Sequence, residues 1–564
     1  MMVPQTMIPV LGLPWGNSCG TATGPELPDL TPIWFPGSIR NDLPLDPNQA
    51  EESAPKPAFA RHAGTEARIA IVLVAFGAIL MASNPWFTKV DDEVAIVDVA
   101  RKPALETMSV FLHGGVQHEH PPLSDLILHV WLWLTNGNSH LLRLPSVAFY
   151  VLGAWFLLRA ARRMAGDRAR NCTLILLLLW PYGFHLGRLA GWYAFTFLLV
   201  SFLTLTYLKY VEQPSAKTWM PVVLCALALI YTNYFGWALI AFLGLDLLWR
   251  FRWNGRTWLL LLATGVFLIT ASVPIMHAFF TELHSRSEPA PSGSAIAMGI
   301  YNLYCLFVSE SVAPWIWVPG IAAGLAIACA LLLVLVYAKP DERRLLIYFG
   351  ALLVVMSVIQ IGTTKRLLMI SPWLILAIGS TLATASLPAA RRLLAGSLIL
   401  VGLIGWYGIF ARNLYAAPRW VEPWDQVARQ AAEVAQNGGI VIGNSPSFFF
   451  YLTYLIPSTN PVTNGNYVGL LPVSVRAQNV YTPEEWTVAG EPTSQTVVLF
   501  DGLSFGVPGP SMAELRARLG ARCKAVSEQD LVHDTGAKWK QEYQPTTGQR
   551  TWRIEIVTYA CAPR

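Results

Sequence analysis

The chain runs to 564 residues with a net charge of only +5, 54% hydrophobic and 13% charged residues, and a mean hydropathy of +0.43. That balance excludes an ordinary soluble protein, which would be more charged and less apolar. So small a charge, with no basic patch interleaved with aromatics, argues against a nucleic-acid partner.

Residues 1–66 are rich in Pro, Gly, Asp and Asn and lack periodicity, so they are read as a disordered cytoplasmic segment. They are not a signal peptide, because the first apolar run begins only near Ile69 and is long enough to span. Apolar runs then recur through residues 67–410. Eleven are read as spans: 68–87, 142–160, 173–186, 192–208, 221–234, 236–249, 258–280, 317–337, 346–362, 368–385 and 393–410. Basic residues collect at even-numbered exits: Arg159, Arg162, Arg163, Arg168 and Arg170, then Arg250, Arg252 and Arg256, then Lys339, Arg343 and Arg344, then Arg391 and Arg392. That side is cytoplasmic by the positive-inside rule. The loops 88–140 and 280–312, the turn Thr363–Arg366 and everything after Phe410 are then outside. Within the first outer loop, PPLSDLILHVWLWLTNG is apolar but short and carries Asp125 and His129. It is read as an interfacial helix lying on the membrane.

Residues 411–564 change character and read as an extracytoplasmic α/β domain. VEPWDQVARQAAEVAQNGG has a helical pattern with a Gly stop, IVIGN and TVVLFDG read as strands, SMAELRARLGA as a helix and TWRIEIVTYA as a terminal strand. Gly502–Gly506 matches G-x-S-x-G, but Val507-Pro508-Gly509-Pro510 follows where a nucleophile elbow needs a helix, so the match is read as a turn. Of seven cysteines, Cys523 and Cys561 share this region. A single pair is read as two free thiols ahead of a disulfide.

The chemistry-bearing residues cluster on the outer side. Asp91-Asp92-Glu93 follow the first span directly, in a chain poor in charge. They are either a solvated acidic turn or a site in which one carboxylate is a general base, its pKa raised by like charges beside it. His118-Glu119-His120 lacks the HExxH spacing of a metal site and is read as polar lining of an outer cavity. Lys365-Arg366 and Arg188 lie on the side otherwise poor in cations, where they suit a phosphate group. Carboxylates and cations on one face are what a glycosyl transfer from a lipid phosphate would need.

With these residues in view the chain resembles the C-type glycosyltransferases that use polyprenyl-phosphate sugars, the class of the protein O-mannosyltransferases and lipid A aminoarabinose transferases. The matching residues are Asp92-Glu93 after the first span, His120-Pro121-Pro122-Leu123 opening the interfacial helix, and Leu142-Arg143-Leu144-Pro145-Ser146 opening the second span. The resemblance implies a GT-C-like polytopic helical fold over roughly residues 68–410, with the loop 88–140 catalytic. It implies Asp92 as catalytic base, Glu93 as its support and Asp91 as the rival base. His120 is placed near the donor phosphate, with His118, Arg143, Arg188, Lys365 and Arg366 grouped around it. Many relatives carry an acid where this chain has Leu189.

The implied reaction is an inverting transfer of a sugar from a polyprenyl-phosphate donor to an acceptor hydroxyl of a glycan, lipid or protein, at a bacterial inner membrane. The donor is already activated, so no cofactor is required and a divalent metal stays optional. Three alternatives stay open, one of them a degenerate glycosyltransferase-like scaffold whose C-terminal domain binds a partner. A lipid-linked-saccharide transporter should show paired repeats and broken helices near the midplane. Pro274 and Pro372 interrupt spans, but paired halves are not visible. An O-antigen ligase or polymerase would carry Arg and His in a late outer loop, as His284 and Arg286 do in this chain.

Overall fold

The structure is a computed structural model that describes residues 58–84, 91–113, 120–138, 140–252, 254–285, 294–358, 364–412, 414–415, 423–445, 448–449, 452, 479–483, 486, 496–502, 512–534 and 551–562. The chain divides into two units, 1–63 and 64–564. Of the first, only the start of helix α1 (Ala58–Ala82) is described, so the disordered segment predicted over 1–66 lies almost wholly outside the described residues.

In the second unit, α2 (Asp91–Arg101), α3 (Ala104–Leu112) and α4 (Leu123–Leu134) fill the first outer loop. They are followed by α5 (Leu144–Leu179), α6 (Pro181–Leu186), α7 (Trp192–Glu212), α8 (Ala216–Ile230) and α9 (Gly236–Arg250). Next come α10 (Gly255–Ala271), α11 (Val273–Ser285), α12 (Ala295–Val308), α13 (Trp317–Tyr337) and α14 (Pro340–Val358). A 3-10 helix (Thr364–Met369), α15 (Ser371–Thr384) and α16 (Pro388–Ala411) complete the bundle.

Each of the eleven predicted spans overlaps a helix, but 173–186, 258–280 and 368–385 each run across a break between two. Among the described residues, five helices are long and apolar enough to cross a membrane, or six if α10 and the following helix, bent by 55°, form one span. The apolar side chains left exposed, such as Leu259, Leu262, Val318, Leu325 and Leu332, form a surface that only lipid would cover. Trp249, Trp258 and Trp317 are exposed at helix ends, where interfacial indoles belong.

The second and third predicted spans are one 36-residue helix broken at Ala165 and Gly166. Gly166 has φ 79° and ψ −172°, a conformation reached cheaply only without a Cβ. The bend gathers the charges read as a cytoplasmic loop: Asp167 bonds Arg162 at 3.0 Å and Arg170 at 2.9 Å.

The loop expected over 280–312 is corrected. It carries α12, whose face from Met298 to Val308 is buried against α6, α14, α16 and the 3-10 helix. Its 14 apolar residues were too few for a span and carry no periodic polar face, so the sequence pattern hid it. The segment read as an interfacial helix does form a helix, α4. Leu128 and Leu132 pack on Val97, Ala100 and Leu142, while Val130, Trp133 and Leu134 are exposed on the other side.

Residues beyond the bundle form α17 (Trp424–Gln436), β1 (Ile440–Gly443), β2 (Val480–Tyr481), β3 (Thr496–Gly502), α18 (Met512–Gly520), β4 (Cys523–Asp534) and β5 (Thr551–Cys561). The sheet order is β2-β1-β3-β5-β4, parallel through β2-β1-β3 and antiparallel through β3-β5-β4. The predicted α/β alternation is present. What it lacked was β4, a charged strand exposed along most of its length, which therefore shows no alternation. Gly502 ends β3, and Ser504 to Gly506 lie outside the described residues. The expectation of free thiols is overturned: Cys523 and Cys561 face each other in the β4–β5 register and form a disulfide.

Candidate active site

The three acids divide by position. Asp91 and Asp92 open α2, and of these two the structure describes the backbone alone. Carboxylates in a first helical turn are favoured by the helix dipole, which offsets part of their mutual repulsion. Glu93 is fully buried. Its Oε1 accepts from Arg143 Nε at 2.9 Å and from the Ala190 amide at 2.8 Å, and its Oε2 accepts from Arg143 Nη2 at 2.6 Å. This is a bidentate fork on a carboxylate that also takes a backbone donor, the geometry that makes a buried ion pair tolerable. It ties the start of α2 to the head of α5 and to the loop between α6 and α7.

That loop, residues 187–191, collects the other predicted residues. Arg188 is buried, donates from Nη1 to Ser83 Oγ at 3.0 Å and lies over the Phe184 ring at 5.1 Å. The charges of Arg143, Glu93 and Arg412 all act on it. Leu189 is buried in the bundle core. Just past the loop, Trp192 packs on His120 with ring centroids 4.5 Å apart and the rings tilted by 50°. Glu93, Arg143, Arg188 and His120 are therefore brought to one place. His118 lies outside the described residues.

Lys365 and Arg366 lie at the other end of α6, on the 3-10 helix. Lys365 is buried and Arg366 half-buried. The Tyr182 hydroxyl, at the start of α6, donates to the Thr364 carbonyl beside them. Six residues of helix, about 9 Å at 1.5 Å per residue, separate this end from the Arg188 end.

Sequence reasoning missed a polar group between these ends. His185 Nδ1 is 2.8 Å from Ser309 Oγ, Tyr301 donates to Glu310 at 3.4 Å, and the His185 ring meets Tyr415 edge-on. Burial raises the Tyr415 phenol pKa against the opposing pull of Arg188 and Arg412. An acid in the apolar stretch LFVSESVAPW was the one signal in the sequence for Glu310. Among the described residues no three His, Cys, Asp or Glu side chains are grouped to hold a metal.

No protein-family model matches this sequence, and no curated protein matches it. Among solved structures the chain is similar to ArnT from Cupriavidus metallidurans bound to undecaprenyl phosphate. The TM-score is 0.52 at 14% identity, over 86% of this chain and 97% of that one. The apo form of the same protein gives a TM-score of 0.48 at 15% identity over the same shares of 86% and 97%. An Archaeoglobus fulgidus oligosaccharyltransferase gives 0.39 at 11% identity, over 73% of this chain and 62% of that one. The first match shows a shared fold: the chain is a helical membrane protein of the GT-C architecture.

Proposed function

We propose that this chain is a membrane glycosyltransferase. It moves a sugar from a polyprenyl-phosphate donor to an acceptor hydroxyl on the extracytoplasmic face of a bacterial inner membrane. The observation that carries the reading is the Glu93–Arg143–Ala190 junction, which holds the residue next to Asp92 rigidly at the loop where His120 and Arg188 meet. A site of this kind needs a base fixed to a few tenths of an ångström, and a fully bonded buried carboxylate one peptide away supplies that support. The fold neighbour solved with undecaprenyl phosphate supports a donor of this lipid chemistry.

In this reading residues 67–410 form the transferase domain, residues 411–564 an extracytoplasmic domain, and residues 1–66 a cytoplasmic segment. Asp92 takes the proton from the acceptor hydroxyl as its oxygen bonds the anomeric carbon from the face opposite the phosphate. The anomeric carbon–oxygen bond breaks, its electron pair stays on the phosphate oxygen, and the configuration inverts. Arg188, Lys365, Arg366 and His120 stabilise the departing charge. Glu93 and Arg143 act on position rather than on substrate. The residues present supply a base and phosphate cations without a cofactor.

The test is purified protein incubated with a panel of polyprenyl-phosphate sugars, reading transfer and donor hydrolysis. Turnover is expected with at least one sugar in the wild type and not in Asp92→Asn. Unchanged turnover in that variant would remove Asp92 as the base.

A further inference from the structure

The turn that follows α12 is strained and buried at once. Ser309 and Glu310 are successive non-glycine residues at φ 63° and 55°, and each is only 2% exposed. Left-handed residues with a Cβ cost on the order of 1–3 kcal/mol each and persist where surrounding structure dictates them, often at functional sites. The surroundings of this turn are specific. Ser309 Oγ is held by His185 of α6 at 2.8 Å. Gly408 of α16 lets the turn approach so closely that a Cβ there would clash with the Ser311 carbonyl oxygen. The Ala313 amide donates to the Leu414 carbonyl at 2.7 Å.

Through Ser309 this fixation sets Glu310 beside α6, where His185 lies one turn from Arg188 and one turn from Tyr182, the hydroxyl that donates to the Thr364 carbonyl next to Lys365. Glu310 accepts from Tyr301, and its charge acts on Tyr182 and Tyr415. Arg188 and Arg412 act on that same Tyr415, while Tyr182 holds the backbone next to Lys365. An anion at this point opposes any phosphate those cations attract, so it is no phosphate ligand.

We propose that Glu310 is a release residue, a fixed counter-charge that limits how tightly the cations hold the lipid phosphate left after transfer. This rests on the donor reading above. The donor is a phosphodiester with one negative charge. The product is a phosphate monoester that carries about −1.5 to −2 near neutral pH. Repulsion from a fixed carboxylate therefore acts more strongly on the product than on the donor, and it favours turnover over product retention. At an effective dielectric near 20, one unit charge about 12 Å away changes affinity on the order of tenfold.

The experiment uses the full-length protein in nanodiscs with polyprenyl phosphate and, as the uncharged control, polyprenol. Glu310→Gln is expected to bind polyprenyl phosphate about tenfold more tightly, with polyprenol binding unchanged and KM falling together with kcat. Glu310→Asp, which keeps the charge, is expected to restore near-wild-type affinity. Should Glu310→Gln fail to fold, Tyr301→Phe leaves the carboxylate without its phenol donor and is expected to weaken phosphate binding. A merely structural Glu310 predicts weaker binding of both ligands in the Gln variant. That result, unchanged phosphate affinity, or an unchanged Tyr301→Phe value overturns the assignment. A wild-type protein with no affinity for polyprenyl phosphate overturns the donor reading itself and the release role with it.

Discussion

Glu93→Gln is the sharpest test of the junction that positions α2. The change swaps one carboxylate oxygen for an amide nitrogen and removes the charge. Both oxygens of Glu93 already accept, so either orientation of the amide turns an N–H toward a donor: Arg143 Nη2 on one side, Arg143 Nε and the Ala190 amide on the other. Arg143, only 2% exposed, is left without its counter-charge. Removing one partner of such a buried pair costs about 3–5 kcal/mol. Arg143→Met should cost a similar amount for the converse reason. The double variant Glu93→Met with Arg143→Met removes both charges, and an apolar pair of similar volume is often neutral. What remains is the Ala190 amide without an acceptor, about 1–3 kcal/mol. The double variant should therefore be more stable than the sum of the singles, and no worse than either. Unfolding midpoints in a denaturing-detergent titration, with circular dichroism for helix content, measure all four proteins. A Glu93→Gln protein within about 0.5 kcal/mol of wild type, the range of surface changes, would refute the buried junction and the positional role built on it.

Three other outcomes follow from the same structure. Lys365→Ala with Arg366→Ala should raise the donor KM by about two to four orders of magnitude, since charge-assisted bonds contribute about 1.5–3 kcal/mol each and both are removed, and steady-state kinetics against donor concentration read it. Alkylation of the denatured, unreduced protein should leave Cys523 and Cys561 unmodified, and prior reduction should add two labels by mass. Cys523→Ser should destabilise the C-terminal sheet by about 4 kcal/mol or less, the loop-closure value for a 38-residue separation, read by limited proteolysis of that region.

What the sequence exposed and what it hid follow from the range of the interactions. Spans such as Trp317–Tyr337 declare themselves because every residue faces lipid or another helix, so local hydropathy suffices. TVVLFDG reads as a strand because a buried central strand is uniformly apolar. Glu93 and Arg143 are 50 residues apart and nothing local pairs them. The motif resemblance put them near one another but placed Arg143 with the phosphate cations, whereas its Nε and Nη2 are engaged by Glu93. The Cys523–Cys561 bond depends on the register of two strands, one of which had no pattern to reveal it. Glu310 was hidden because its importance rests on a left-handed turn and on neighbours drawn from α6, α12 and α16.

The remaining question is why the chain carries one acid more than it needs, and helix geometry gives a testable answer. Glu93, Val97, Val99 and Ala100 are buried and Ile96 is half-buried, which sets the inward face of α2. Successive positions on a helix are about 100° apart, so positions 97 and 100 fall within about 40° of position 93. Position 92 then lies at the margin of that face, about 20° from Val99, and position 91 lies about 160° from position 93, nearly opposite. A general base must be held by the protein and still reach a substrate, which suits an edge position and not the far side. Position 91 is left with the bland role of an acid in the first helical turn, worth about 0.3–1 kcal/mol through the dipole. Asp92→Asn should therefore lower kcat by about 10²–10⁴-fold, while Asp91→Asn should lose only that small amount of stability and keep turnover within a few-fold of wild type, as the same ~0.3–1 kcal/mol implies. Transfer rates at saturating donor, with detergent unfolding midpoints alongside, separate the two. The reverse pattern, an inactive Asp91→Asn beside an active Asp92→Asn, would mean that α2 is rotated about the Glu93 pin so that position 91 takes the edge, and the base would move with it.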